Sequence, residues 1–194
     1  MKSVVLLGSV LLLSACGSMQ SQVVKKNVAF NPDSQAQIRS YGSYGSDLIR
    51  IYPKTDCAKW EGTKRNAVNR RFVNGLPRKV RNISIGIPPT ELSRKTEKDT
   101  GFVFRDSYRE MVVSASQPVV LDGAFSSQTR NQHYSCRVAA SFTPKAGEAY
   151  EVRYLSEEEG CDIEVYHIGH EEKDGVRQTK KLTANYCAKP GTSF

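Results

Sequence analysis

The chain has no apolar run able to span a bilayer as a helix, which takes about 20 residues. Its longest, Val4 to Leu13, falls well short and is broken by Gly8 and Ser9. A peptide membrane span is therefore not expected. Histidine is scarce, with His133, His167 and His170 the only three, and no G-x-S-x-G frames a serine nucleophile. Gly42-Ser43-Tyr44-Gly45 lies between strand-like runs without the strand-to-helix context of a hydrolase elbow. There is no C-x-x-C pair, glycine-rich phosphate loop, dinucleotide fingerprint or calcium loop. Together these absences leave no catalytic residue to nominate and no cofactor to expect.

What is present begins at the N-terminus. Met1-Lys2 forms a positive n-region, Val4 to Leu13 an apolar h-region, and Ser14-Ala15 a small-residue cleavage site. Cys16 follows at once. Leu13-Ser14-Ala15-Cys16 resembles the lipobox of bacterial lipoproteins, whose peptidase cleaves before a cysteine that carries diacylglycerol. The resemblance implies that Cys16 becomes the acylated first residue, palmitate among its chains. One acyl chain binds only marginally, so several are needed for lasting attachment. Gly17 stands where an inner-membrane retention signal would place Asp, which favours the outer membrane. The expected organisation is a signal peptide over 1–15, a lipidated flexible tether over 16–27 and one domain over 28–194.

Of five cysteines, lipidation of Cys16 leaves Cys57, Cys136, Cys161 and Cys187. An even number in an exported chain reads as two disulfides. Cys136 and Cys161 both fall on apolar faces of alternating segments, so the expected pairs are Cys136 with Cys161 and Cys57 with Cys187. In a flat meander the first pair would be about two strand spacings of 4.8 Å apart, beyond the Cα reach of about 7 Å. The third strand must then pack on the opposing sheet, or the turn before it must fold back.

Alternation of apolar and polar residues carries the fold prediction. Ile38 and Leu48-Ile49-Ile51, joined by a glycine-containing link at Tyr41 to Ser46, read as a hairpin. Ile83, Ile85 and Ile87 read as a strand stopped by Pro88-Pro89, and Glu91 to Asp99 as a helical turn or exposed loop. Further strands are expected over Tyr108 to Val113, Val119 to Phe125, Tyr134 to Phe142, Tyr150 to Tyr154, Cys161 to His167 and Val176 to Leu182. In the best of these, Cys136, Val138, Ala140 and Phe142 share one face with Tyr134. Roughly eight short strands without a long amphipathic run predict an all-β chain: a single antiparallel β-sandwich with two disulfides.

Two constellations suggest binding. Between residues 54 and 81 nine basic side chains face only Asp56 and Glu61, while the whole chain has 28 basic against 20 acidic residues. Lys59, Lys64, Arg65, Arg70 and Arg71 around the single tryptophan, Trp60, could hold a polyanion, because cations interleaved with aromatics suit anionic glycans; the plainer and favoured reading is a solvated loop whose Trp60 packs down beside Cys57. The second is His167-Ile168-Gly169-His170-Glu171-Glu172, with zinc or copper ligand types. On a strand that spacing sends the rings to opposite faces, and Gly169 suggests the start of a loop, so a structural or surface role is expected and no metal.

Three segments, Ala29 to Arg39, Ile85 to Glu91 and Ser141 to Val152, resemble a group of small predicted lipoproteins of Gram-negative bacteria that has no established activity. The resemblance implies location and fold and assigns no catalytic residue. The functional expectation is a non-enzymatic outer-membrane lipoprotein, facing the periplasm or the cell surface, that serves as an interaction module. Its alternative is an envelope polyanion binder using the basic segment on anionic glycan or lipopolysaccharide. The expected partners are the membrane, through the lipid, and an envelope protein or anionic glycan; nucleic acid is not expected.

Overall fold

The computed structural model describes residues 23–42, 48–63, 66–68, 72–73, 76–77, 80–99, 105–128, 133–157 and 160–188. In chain order the first elements are β1 (Val23–Lys25), β2 (Gln35–Gly42), β3 (Leu48–Pro53), β4 (Asn66–Val68), β5 (Phe72–Val73), β6 (Leu76–Pro77) and β7 (Asn82–Ser84). A helix α1 (Glu91–Lys98) precedes β8 (Ser107–Ser114), β9 (Val119–Gln128), β10 (His133–Phe142) and β11 (Ala149–Glu157). The described chain closes with β12 (Gly160–Lys173), β13 (Val176–Leu182) and β14 (Asn185–Ala188).

A seven-stranded sheet in the order β1-β7-β8-β2-β11-β12-β13 packs on a five-stranded sheet, β14-β10-β9-β3-β4, with a separate β5-β6 ribbon. The sandwich follows from the two-residue period. Ala36 and Ile38, Tyr150, Val152 and Tyr154, and Cys161, Ile163 and Val165 point inward from the larger sheet. They meet Ile49, Ile51, Val119, Leu121, Cys136, Val138 and Ala140 from the smaller one. Each fully buried aliphatic side chain in such a core contributes roughly 1.5–3 kcal/mol.

The fold is all-β, as the alternation predicts, but its connections differ from the simplest reading. β2 and β3 lie in different sheets, so Ile38 and Ile49 are not partners in a hairpin. β10 likewise leads across to the other sheet, where β11 pairs in parallel with β2. Parallel pairing also joins β1 to β7 and β7 to β8, which makes the larger sheet mixed rather than purely antiparallel. Alternation sets which face a residue occupies and says nothing about which sheet receives the strand. Val23–Lys25 falls within the expected tether, yet it is hydrogen-bonded to β7, so paired structure begins before residue 28.

Crossing between sheets is what permits the core disulfide. Cys136 on β10 and Cys161 on β12 face each other from opposite sheets, with Cα atoms 6.0 Å apart. Cys57 and Cys187 form the second bond, Cα atoms 4.8 Å apart, tying the turn after β3 to β14. Beside the core disulfide the buried Tyr154 ring lies against Gly123, where an added Cβ would overlap it, and the Tyr154 hydroxyl donates to the Cys136 carbonyl at 3.2 Å.

Candidate functional site

A dense group of charges lies under a cover on the outer face of the larger sheet. Register aligns Glu110 on β8, Arg39 on β2 and Glu151 on β11 in one row. Each alternates with inward residues such as Ile38 or Val152, so in a bare sheet all three would face water. Instead they are 1–4% exposed. The segment from Ser84 to Thr90 crosses above them and leads into α1, forming a strap over the sheet.

The strap is held by those charges. Arg39 Nε and Nη2 reach Glu110 Oε1 at 2.9 and 2.8 Å, and Nη1 reaches Glu151 Oε1 at 2.9 Å. Nη2 also donates to the strap carbonyls of Ile87 and Pro88 at 2.7 and 3.0 Å. Glu110 Oε2 accepts the backbone N–H groups of Ile85, Gly86 and Ile87 at 2.6, 3.1 and 3.2 Å, and the Ser84 hydroxyl at 2.9 Å. Converging N–H groups of this kind form an anion-binding nest, and here the protein fills it with its own carboxylate. Gly86 has φ of +103°, a conformation that suits glycine, and this lets the chain turn its amides inward.

Thr90 links the strap to the helix. Its hydroxyl donates to Glu151 Oε1 at 2.5 Å and accepts the Ser93 N–H at 3.2 Å, while the Ser93 hydroxyl accepts the Thr90 N–H at 2.9 Å. This reciprocal capping box starts α1, with Glu91 in its first turn and Lys95 and Lys98 in its last. Helices this short are marginal alone, so α1 depends on the strap and on its buried Ser93 and Thr96. At its far end Tyr108 donates to Glu97 at 2.7 Å.

These contacts perturb titration. Burial disfavours the Arg39 charge, but Tyr41, Glu110 and Glu151 more than offset it, and its pKa lies above the ordinary guanidinium value. Burial first, and Glu151 second, raise the Tyr41 pKa; its hydroxyl donates to Glu151 Oε1 at 2.5 Å. Tyr108 is raised by burial and then by Glu97. Farther along the same sheet, burial works against ionised Glu164, yet bonds from Lys181, Tyr166 and Arg153 prevail and hold its pKa below the usual carboxylate value.

The other outer face follows the same plan. Asp122 on β9, fully buried, accepts from Arg50 at 2.9 Å and from Arg137 Nε at 2.7 Å. The Arg137 guanidinium lies 4.8 Å from the Trp60 ring centre, and Tyr52 meets the same ring edge-on at 5.2 Å. Trp60 is 4% exposed. Trp60 thus packs down with Tyr52, Val120, Ala139 and Cys187, as the plainer reading of this loop expects, and is not the exposed aromatic of the polyanion reading. Lys59 is exposed in the adjoining turn. Cys16, Lys64, Arg65, Arg70 and Arg71 lie outside the described residues.

The histidine pair differs in geometry from expectation. β12 continues through Gly169 to Lys173, so no loop begins there, and its register against β13 shifts between Ile168 and Glu172. This irregularity puts both rings on the same side, toward Glu148. His167 Nε2 is 2.5 Å and His170 Nε2 3.9 Å from Glu148 Oε2. Among the described residues no group of three histidine, cysteine or acidic side chains is arranged to hold a metal ion.

The Arg39 row is not apparent in the sequence. Its only trace is a charged residue at the centre of each of three apolar strands, which looks the same as an outward-facing solvated position. Comparison with known proteins finds no family model, no curated protein and no solved structure that matches the chain.

Proposed function

We propose that the protein is a non-enzymatic lipoprotein of the outer membrane, tethered through Cys16, whose sandwich serves as an interaction or accessory module in the envelope. The observation that carries this reading is Leu13-Ser14-Ala15-Cys16 at the end of a short apolar run behind Met1-Lys2. Two features support it. Pairing of the other four cysteines in disulfides suits an oxidising compartment. In addition, the buried ionisable groups of the Arg39 row are taken up by one another and by the strap, so that row serves the fold, as suits a module that acts through its surface. The resemblance to small Gram-negative lipoproteins points the same way.

Cell fractionation with Cys16→Ser tests the proposal. Wild-type protein should sediment with outer membranes and incorporate labelled palmitate, whereas the variant should do neither. Crosslinking in intact envelopes then identifies what the anchored domain touches. Equal membrane recovery of wild type and Cys16→Ser would remove the proposal.

A further inference from the structure

The edge strand β1 begins at Val23, seven residue steps from Cys16. A chain extends by at most about 3.3–3.6 Å per residue, so that link spans no more than about 25 Å. β1 is also one edge of the larger sheet, six strands from β13 at the other. At a spacing of about 4.8 Å those edges are roughly 29 Å apart. With Cys16 held in a leaflet, the link is too short for the β13 edge to rest on the membrane with β1 uppermost.

Among the described residues the β1 edge is basic without acidic partners, whereas on β13 Arg177 and Lys181 are paired with Glu172 and Glu164. Lys25 and Lys26 at the end of β1, and Arg81 just before β7, are all exposed. In the parallel register Val23 pairs with Asn82, so Arg81 stands beside the point where the link joins the sheet. Val28, 42% exposed, follows the two lysines and is one of three large apolar side chains exposed among the described residues. No acidic residue occurs from Val23 to Val28 or from Val80 to Ser84. The acidic run that begins at Glu157, by contrast, is at the end of β11, four strands from β1.

We propose that the β1–β7 edge, through Lys25, Lys26, Arg81 and Val28, docks on the anionic phospholipid headgroups of the leaflet that holds the Cys16 lipid. The domain then lies edge-on, and the β12–β13 hairpin tip at Asp174-Gly175 is turned away from the membrane. This rests on the lipid anchor proposed above. Each basic side chain near an anionic surface favours the docked state roughly fivefold.

Hydrogen exchange on the full lipidated protein, reconstituted in phosphatidylglycerol-containing or purely phosphatidylcholine vesicles, tests the orientation. Exchange over residues 23–28 and 80–84 should be slower on the anionic vesicles, with residues 171–175 unaffected. The triple variant Lys25→Glu, Lys26→Glu, Arg81→Glu should float with the vesicles and melt as wild type while losing that protection roughly tenfold or more. Flotation reads the anchor separately. Protein that fails to float overturns both the anchor and the orientation. Protein that floats but exchanges equally on both vesicles, or is protected at 171–175, overturns the orientation alone.

Discussion

Arg39 and Glu151 stand opposite each other on the parallel strands β2 and β11, nitrogen to oxygen 2.9 Å, and neither is more than 3% exposed. Their pairing, extended to Glu110, fixes a strap and a helix across a sheet that would otherwise have a solvated face. Breaking a buried pair by removing one partner leaves an uncompensated charge, which typically costs 3–5 kcal/mol.

Arg39→Ala should therefore lose about 3–5 kcal/mol in equilibrium urea unfolding. The control is Arg94→Ala, which removes an exposed helix pair with Glu97 at 3.9 Å and should cost no more than about 0.5 kcal/mol. Similar losses in the two variants would contradict the role given to Arg39.

Stability should decline at both ends of the pH scale through different groups. Tyr41 has a folded-state pKa above its ordinary value of 10.0, so the folded protein holds that proton more tightly. Its contribution is fully present below pH 10.0 and is lost as pH rises toward the raised folded value. Calorimetry should show the melting temperature falling above pH 10.0, less steeply in Tyr41→Phe. Glu164 has the opposite sign. Its lowered pKa gives stability present above the ordinary value of 4.5 and lost as pH falls below it, and Glu164→Gln should flatten the acid limb.

Gly123→Ala should be destabilising although alanine usually suits strands better than glycine. The new Cβ would overlap the Tyr154 ring, whose hydroxyl is bonded to the Cys136 carbonyl. Overpacking of this kind costs typically 1–3 kcal/mol. A melting temperature at or above that of wild type would show that the ring can move aside.

The disulfides link residues 130 and 25 positions apart, and loss of a native disulfide commonly costs about 2–5 kcal/mol. Soluble protein lacking residues 1–16 should melt at a markedly lower temperature after reduction. An undiminished melting temperature would mean that packing alone sustains the sandwich.

What could be read from the sequence was local. Cys136, Val138 and Ala140, or Tyr150, Val152 and Tyr154, announce their inward faces by strict alternation. Whether two consecutive strands pair or part is decided by the loop and by distant partners, so the expected hairpin at Ile38 and Ile49 was not formed. A strand irregularity undid the argument from spacing at His167 and His170. Arg39, Glu110 and Glu151 are not legible for a third reason: burial of an outward face depends on a cover contributed by residues far away in the chain. Trp60, by contrast, packs down beside its turn as the plainer reading of that loop expects.

The proposed lipid anchor decides where the protein sits, and mass spectrometry of the N-terminal peptide of the mature protein tests it. The expected spectrum is that of a chain that starts at Cys16 and carries a diacylglycerol thioether and an acylated amino group. An unmodified Cys16, or a mature chain that starts elsewhere, would contradict it.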